Sequence, residues 1–158
     1  MSEVDPGDIP KARGKIRRGA RHPHSHAREV ILQAIYQMEV ANHSLAHVLQ
    51  FLWLNEKMDE EKDKFCRTML NGVADNWDAI DEVIRSFSAK DFSQLSVVVK
   101  SILRSSIYEI MRGELDVAII IDDALNLTRK YDGEDSVPFV NAVLDGFERE
   151  RRNTEEET

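Results

Sequence analysis

The chain is predicted to be all-α, a compact bundle of about six or seven helices preceded by a disordered basic arm. Three observations predict this. Apolar residues recur at three- and four-residue spacing through most of residues 24–147, the signature of helices with one buried face. No stretch of alternating polarity offers a set of strands that could pair with one another. Residues 1–22 hold Pro6, Gly7, Pro10, Gly14 and Gly19 with few large apolar groups, a composition that resists helix and core alike.

Taken in order, residues 1–23 form the arm, 24–147 the helical domain, and 148–158 a charged tail expected to fray. Ser25 is a candidate helix cap, after which Ala27, Ile31, Ala34, Ile35 and Met38 share a stripe. A short second helix carries Leu45, Val48, Leu49 and Leu52. Asp59 to Lys64 leads into a third, along which Phe65, Met69, Val73, Trp77, Ile80 and Ile84 face one way. Gly72 beside that stripe weakens a helix by about 1 kcal/mol relative to alanine, and so predicts a close backbone crossing. The next helix runs from about Leu95 through Ile102, Ile107 and Ile110 to Gly113, with an apolar face broad enough to be central. Val117 to Ile121 is rich in β-branched residues and reads locally as strand. A lone strand has no partner here, and Ile120, Ala124, Leu127 and Tyr131 continue at helical spacing to a stop at Asp132 and Gly133. Asp135 or Ser136 caps the last helix, with Pro138 in its first turn and Phe139, Val140, Val143, Leu144 and Phe147 along its buried face.

Charge is divided unevenly. Residues 1–28 carry seven basic and three acidic side chains, leaving fourteen and twenty-six for the rest, so the arm is +4 and the body −12. Lys11, Arg13, Lys15, Arg17, Arg18, Arg21 and Arg28 lie in a stretch without a carboxylate. A basic arm on an acidic body grips a polyanion at one edge and repels it elsewhere, which points to nucleic acid. His22, His24 and His26 could ligate a metal, but no cysteine or further ligand accompanies them. An electrostatic role is the better reading, with RNA affinity rising as pH falls from about 7.5 to 6.

Other classes fall away. The carboxylate neighbours Asp122 with Asp123 and Glu134 with Asp135 point in different directions on a helix and read as solvated or capping groups. No phosphate loop, nucleophile elbow or metal-ligand pair is present, so no enzyme, catalytic residue, resident metal or cofactor is expected. The one cysteine, Cys66, cannot form an internal disulfide and reads as a buried hydrophobe in a reducing, cytoplasmic setting. No apolar run reaches the roughly 18 to 20 residues of a membrane helix, and no membrane partner is expected.

Four segments carry a resemblance. They are His26-Ala27-Arg28-Glu29 with Leu32-Gln33-Ala34-Ile35-Tyr36-Gln37; Leu70-Asn71-Gly72-Val73; Ile102-Leu103-Arg104 with Ile107-Tyr108-Glu109-Ile110; and Glu134-Asp135-Ser136 with Phe139-Val140-Asn141-Ala142-Val143-Leu144-Asp145. In order and spacing, from about residue 24 to 147, the chain resembles the bacterial transcription antitermination factor NusB family. The resemblance implies two small helical sub-bundles and a complex with the NusE-type small-subunit ribosomal protein. It further implies binding of single-stranded boxA-type RNA and support of rRNA transcription within the transcription elongation complex. Carried over residue by residue, it makes RNA contacts of the arm cations, of His24, His26 and Arg28, and of the rings of Tyr36 and Phe139. Tyr36, Asp135 and Phe139 would also face the ribosomal partner. Phosphate contacts from cations and bases stacked on aromatic rings are how single-stranded RNA is held.

The sequence departs from the family pattern in places. His24, Ser25 and His26 stand where consecutive arginines are usual, Ala142 where glycine is usual, Asp116 where proline is usual, and Asp122-Asp123-Ala124 for Asn-Glu-Ala. Val99 occupies a position often acidic and turned to the ribosomal partner. The competing reading is a helical protein-interaction module without specific RNA binding, or a homodimer through the apolar face around Val97 to Val99.

Overall fold

The computed structural model describes residues 22–156. Among them are seven α-helices, two short 3-10 turns and no strand. Helices α1 (Ser25–Val40), α2 (Leu45–Val48) and α3 (Glu60–Asp75) enclose one apolar core, centred on Ile31, Ala34, Ile35, Val48, Cys66, Met69 and Leu70. Helices α4 (Trp77–Phe87), α5 (Val97–Arg112), α6 (Val117–Tyr131) and α7 (Val137–Glu156) enclose a second, with Ile80, Ile84, Ile102, Leu103, Ile107, Ile120, Val140 and Leu144 at its centre. The two sub-bundles implied by the resemblance are these two cores.

Helix α5 is the wall they share. It packs on α1, α3, α4, α6 and α7, and every residue from Ser101 to Ile107 is buried. Burial all round is what a central helix requires. Its ends are conventional: the Ser96 hydroxyl accepts from the Val99 N–H at 3.1 Å, and Gly113 closes the helix in the left-handed region at φ 67°.

Gly72 marks a close approach, as its helix cost predicts, but the neighbour is a ring rather than a backbone. A Cβ built on Gly72 would lie 1.9 Å from Cζ of Tyr108 on α5. Tyr108 packs against both cores, so this contact seats one sub-bundle on the other. Ala142, by contrast, is exposed and faces no helix crossing. The close approach on α7 is one turn on, at Gly146, where a Cβ would meet Phe87 of α4 at 2.9 Å.

Several boundaries differ from expectation. Ser25 is the first residue of α1 rather than its cap; His24 caps it with φ 67° and no side-chain hydrogen bond. The Ser25 N–H reaches back to the His22 carbonyl at 3.1 Å, and Pro23 followed by a left-handed residue is the pattern of a type II turn. The second helix ends at Val48 instead of running to Leu52, because Phe51 turns left-handed at φ 53° and the Trp53 indole donates to the Val48 carbonyl at 3.1 Å. Leu52 is left 84% exposed. The single stripe from Phe65 to Ile84 belongs to two helices, α3 and α4, broken at Asn76. There the Asn76 side chain donates to the Gly72 carbonyl at 2.8 Å, taking up an acceptor at the end of α3.

Val117 to Ile121 is helical, opened by Asp116 accepting from the Ala118 N–H at 2.9 Å. Ser136 does not cap α7, since its hydroxyl donates to Asp132, and the 3-10 turn Glu134–Ser136 runs directly into Val137. The expected frayed tail is corrected over most of its length: α7 continues to Glu156. Pairs one turn apart, Arg149 with Asp145 at 3.0 Å and Arg152 with Glu148 at 3.5 Å, line this extension.

Candidate nucleic-acid interface

Lys11, Arg13, Lys15, Arg17, Arg18 and Arg21 lie outside the described residues. What the structure gives is the root from which they depart. The His22 imidazole pairs with Asp122 of α6. The Ser25 hydroxyl accepts from the His22 N–H at 3.0 Å and donates to Asp123 at 3.1 Å. The His24 ring stacks on Phe65 of α3, centroids 4.0 Å apart and 7° from parallel. His26 is exposed and meets Glu56 in the loop before α3, with Glu29 at 3.7 Å. The three imidazoles thus go to three different places, and no cluster of metal-ligating side chains forms among the described residues.

Arg28 departs furthest from its expected role. It is 5% exposed. Its guanidinium forks onto Glu109 of α5 at 2.9 and 2.7 Å, and Nη1 donates to Asp123 at 2.8 Å and to the Pro23 carbonyl at 2.7 Å. Burial opposes the charge, but Glu109 and Asp123 overcome it and raise the pKa above the ordinary arginine value. These donors are committed within the fold, so Arg28 fixes the root and offers no fork to a phosphate. Asp123 is corrected with it: buried at 4% exposure, it is neither solvated nor a cap.

The next residue of α1, Glu29, receives Lys130 and the Tyr131 hydroxyl of α6, the latter at 2.8 Å. Burial and the Glu29 carboxylate push the Tyr131 phenol up, so it stays a donor. At the far end of α1, Glu39 accepts from Arg104 at 2.9 Å while Arg104 also forks onto Asp81 of α4 at 2.7 and 3.1 Å. The Arg104 guanidinium lies 4.1 Å from the centre of the Trp77 ring. Helix α1 is therefore held at its start by a buried ion pair and at its end by a half-buried one. Sequence reasoning missed Glu109, Asp81 and Arg104 as partners. The available signal was a charged residue inside an apolar stripe, which burial permits only with a counter-charge.

The remaining expected residues sit apart. Tyr36 is half-buried on α1. Asp135 is exposed on the 3-10 turn before α7. Phe139 is half-buried against the second core, with the Lys90 ammonium 5.0 Å from its ring centre. Val99 is in the core at 4% exposure and cannot face a partner. Its neighbours Val97 and Val98 are half-buried.

The family model described as NusB family matches residues 25–149. The chain belongs to the NusB family. It is 34% identical over 130 residues to the transcription antitermination protein NusB of Dehalococcoides mccartyi strain CBDB1, covering 81% of this chain and 91% of the relative. It is likewise 34% identical over 121 residues to NusB of Anaeromyxobacter dehalogenans strain 2CP-1, covering 75% and 85%. Among solved structures, T. maritima NusB superposes with a TM-score of 0.73 at 28% identity, covering 82% of this chain and 93% of that one. A crystal structure of antitermination factors NusB and NusE with double-stranded RNA matches at a TM-score of 0.72 and 17% identity, over 78% and 94%, a likeness of fold. NusB proteins are non-enzymatic, RNA-binding transcription antitermination factors. No described helix is long and apolar enough to cross a membrane.

Proposed function

We propose that this chain binds single-stranded boxA-type RNA jointly with a NusE-type small-subunit ribosomal protein, and so supports rRNA transcription as part of the cytoplasmic transcription elongation complex. The observation that carries this reading is the rooted basic segment. Six cations between Lys11 and Arg21 precede a turn fixed to α5 and α6 through Arg28, Ser25 and His22. On a body of charge −12, that segment is where a polyanion is favoured. Phe139 with Lys90 beside its ring offers a base a stacking surface next to a cation. The exposed carboxylate of Asp135 and the half-buried Tyr36 are assigned to the partner and RNA surfaces, and His24 and His26 to the edge of the RNA path. The NusB and NusE structure with RNA supports the choice of partners by likeness of fold.

The test is binding of a fluorescent boxA-type RNA and a scrambled control, with and without the cognate NusE-type protein. Selective binding that tightens on adding the partner is expected. Removing residues 1–21 should abolish RNA affinity while the fold and partner binding persist. Weak, unselective binding indifferent to the partner would overturn the reading.

A further inference from the structure

We propose that Asp122 is a positioning residue for RNA binding: through His22 it holds the chain where the cation-rich stretch begins, so that an acidic side chain raises the affinity for a polyanion. This role rests on the boxA reading and deepens it. Asp122 stands in the first half of α6 with its side chain 52% exposed, and its partner is the His22 imidazole, 18% exposed. No cation lies three or four residues away along the helix, where Ala118, Ile119, Leu125 and Asn126 stand. Nor does Asp122 serve the helix N-terminus, which Asp116 caps. Its carboxylate is given instead to a residue 100 positions earlier in the chain.

The local backbone makes the contact effective. His22 and Ser25 close a turn on each other, the His22 N–H donating to the Ser25 hydroxyl at 3.0 Å and the Ser25 N–H to the His22 carbonyl at 3.1 Å. The Ser25 hydroxyl and Arg28 donate to Asp123 at 3.1 and 2.8 Å, which ties the downstream side of that turn to α6. Asp122 takes the upstream side through the imidazole. An imidazole N–H donates to a carboxylate whether or not the ring is charged. Arg21 is bonded to His22, so fixing His22 fixes where the stretch of cations joins the body.

Two effects of Asp122 oppose each other. As a negative charge it repels phosphate, but at about 8 Å in water of physiological salt this amounts to less than about two-fold in affinity. As a tether it removes in advance part of the freedom that the chain loses on binding. Preorganisation of this kind is worth about three- to ten-fold for one side chain already held in place. The tether outweighs the repulsion, and the sign of the effect is the reverse of what charge alone dictates.

The experiment compares the full chain with Asp122→Asn, Asp122→Ala and His22→Ala/Asp122→Ala. Two quantities are read: affinity for boxA-type RNA with the NusE-type partner present, and the heteronuclear NOE of the His22 amide in the free protein. Asparagine keeps an oxygen for the imidazole N–H and loses the charge, whereas alanine loses both. Asp122→Ala should weaken RNA binding about five-fold and lower the His22 NOE, with the unfolding midpoint unmoved. Asp122→Asn should stay within about two-fold of wild type and keep the NOE. The double variant should bind no more weakly than Asp122→Ala, because each residue acts through the other. Equal gains in affinity for the asparagine and alanine variants would overturn the proposal, leaving Asp122 a repulsive charge. An unchanged His22 NOE in Asp122→Ala would overturn it too, and that readout needs no RNA. A wild-type chain indifferent to boxA-type RNA would instead overturn the boxA reading and this role with it, so the two failures are told apart.

Discussion

At Gly72 two residue-scale effects oppose each other. Alanine there gains about 1 kcal/mol of helix propensity, but its Cβ would fall 1.9 Å from a ring carbon of Tyr108. Overpacking of this kind costs about 1–3 kcal/mol, and the rigid ring is itself wedged between both cores. Gly72→Ala is therefore expected to lower the urea midpoint despite the better propensity. The glycine was legible in sequence because it contradicts its helix. Its partner was not, because Tyr108 lies on another helix and nothing local names it.

Cys66 gives a second residue-scale outcome. Burial, then the charge of Asp63, pushes its thiol up from 9.0 to about 12. Below pH 9 the thiol is neutral in folded and unfolded chains alike, and its contribution to stability is complete. Between pH 9 and about 12 only the unfolded chain ionises, so stability falls as pH rises. The urea midpoint should drop more between about pH 8.5 and 10.5 in the wild type than in Cys66→Ala. Equal slopes would show that the thiol does not contribute.

Among elements, α1 has the most consequential attachments. Arg28 joins it to α5 and α6 through partners 81 and 95 residues away. Truncating one member of a buried ion pair leaves an uncompensated charge and costs about 3–5 kcal/mol. Arg28→Ala should cost that much in chemical denaturation, while RNA affinity per folded molecule changes less than on neutralising Arg17 and Arg18. The reverse pattern would return Arg28 to the RNA surface. Its position just after a cation-rich stretch made it look like one more arm residue, since composition cannot separate a solvated guanidinium from a buried one. Helix spacing was legible throughout, including the helical outcome at Val117 to Ile121. Helix ends were less so. Asn76 interrupts a stripe without shifting its phase, and the extension of α7 rests on pairs between charged residues that resemble a tail.

For the whole molecule, the division of charge sets the salt response. With Arg28 committed internally, six cations remain between Lys11 and Arg21. At about 0.7 per phosphate on single-stranded RNA, the log–log slope of affinity against salt should be about −4. Seven working cations would give about −5, and a slope near zero would remove the arm from RNA binding. The all-helical class, the two sub-bundles and the family were readable from apolar spacing and four motifs. The geometry of the root was not, because it depends on acids brought together only by folding.

The buried attachment of residues 22–28 has one more consequence. Whatever path residues 1–21 take, they start from a fixed point on α6, so their cations meet the body at an effective concentration set by chain length. For short linkers this is in the millimolar range. Any attraction between those cations and the acidic body is then a unimolecular equilibrium, unchanged by dilution of the protein, whereas RNA must compete for the same six charges from solution. Two ion-paired residues, Arg28 and His22, together with the Ser25 hydroxyl, hold the root, and thereby help set the RNA concentration at which the protein responds.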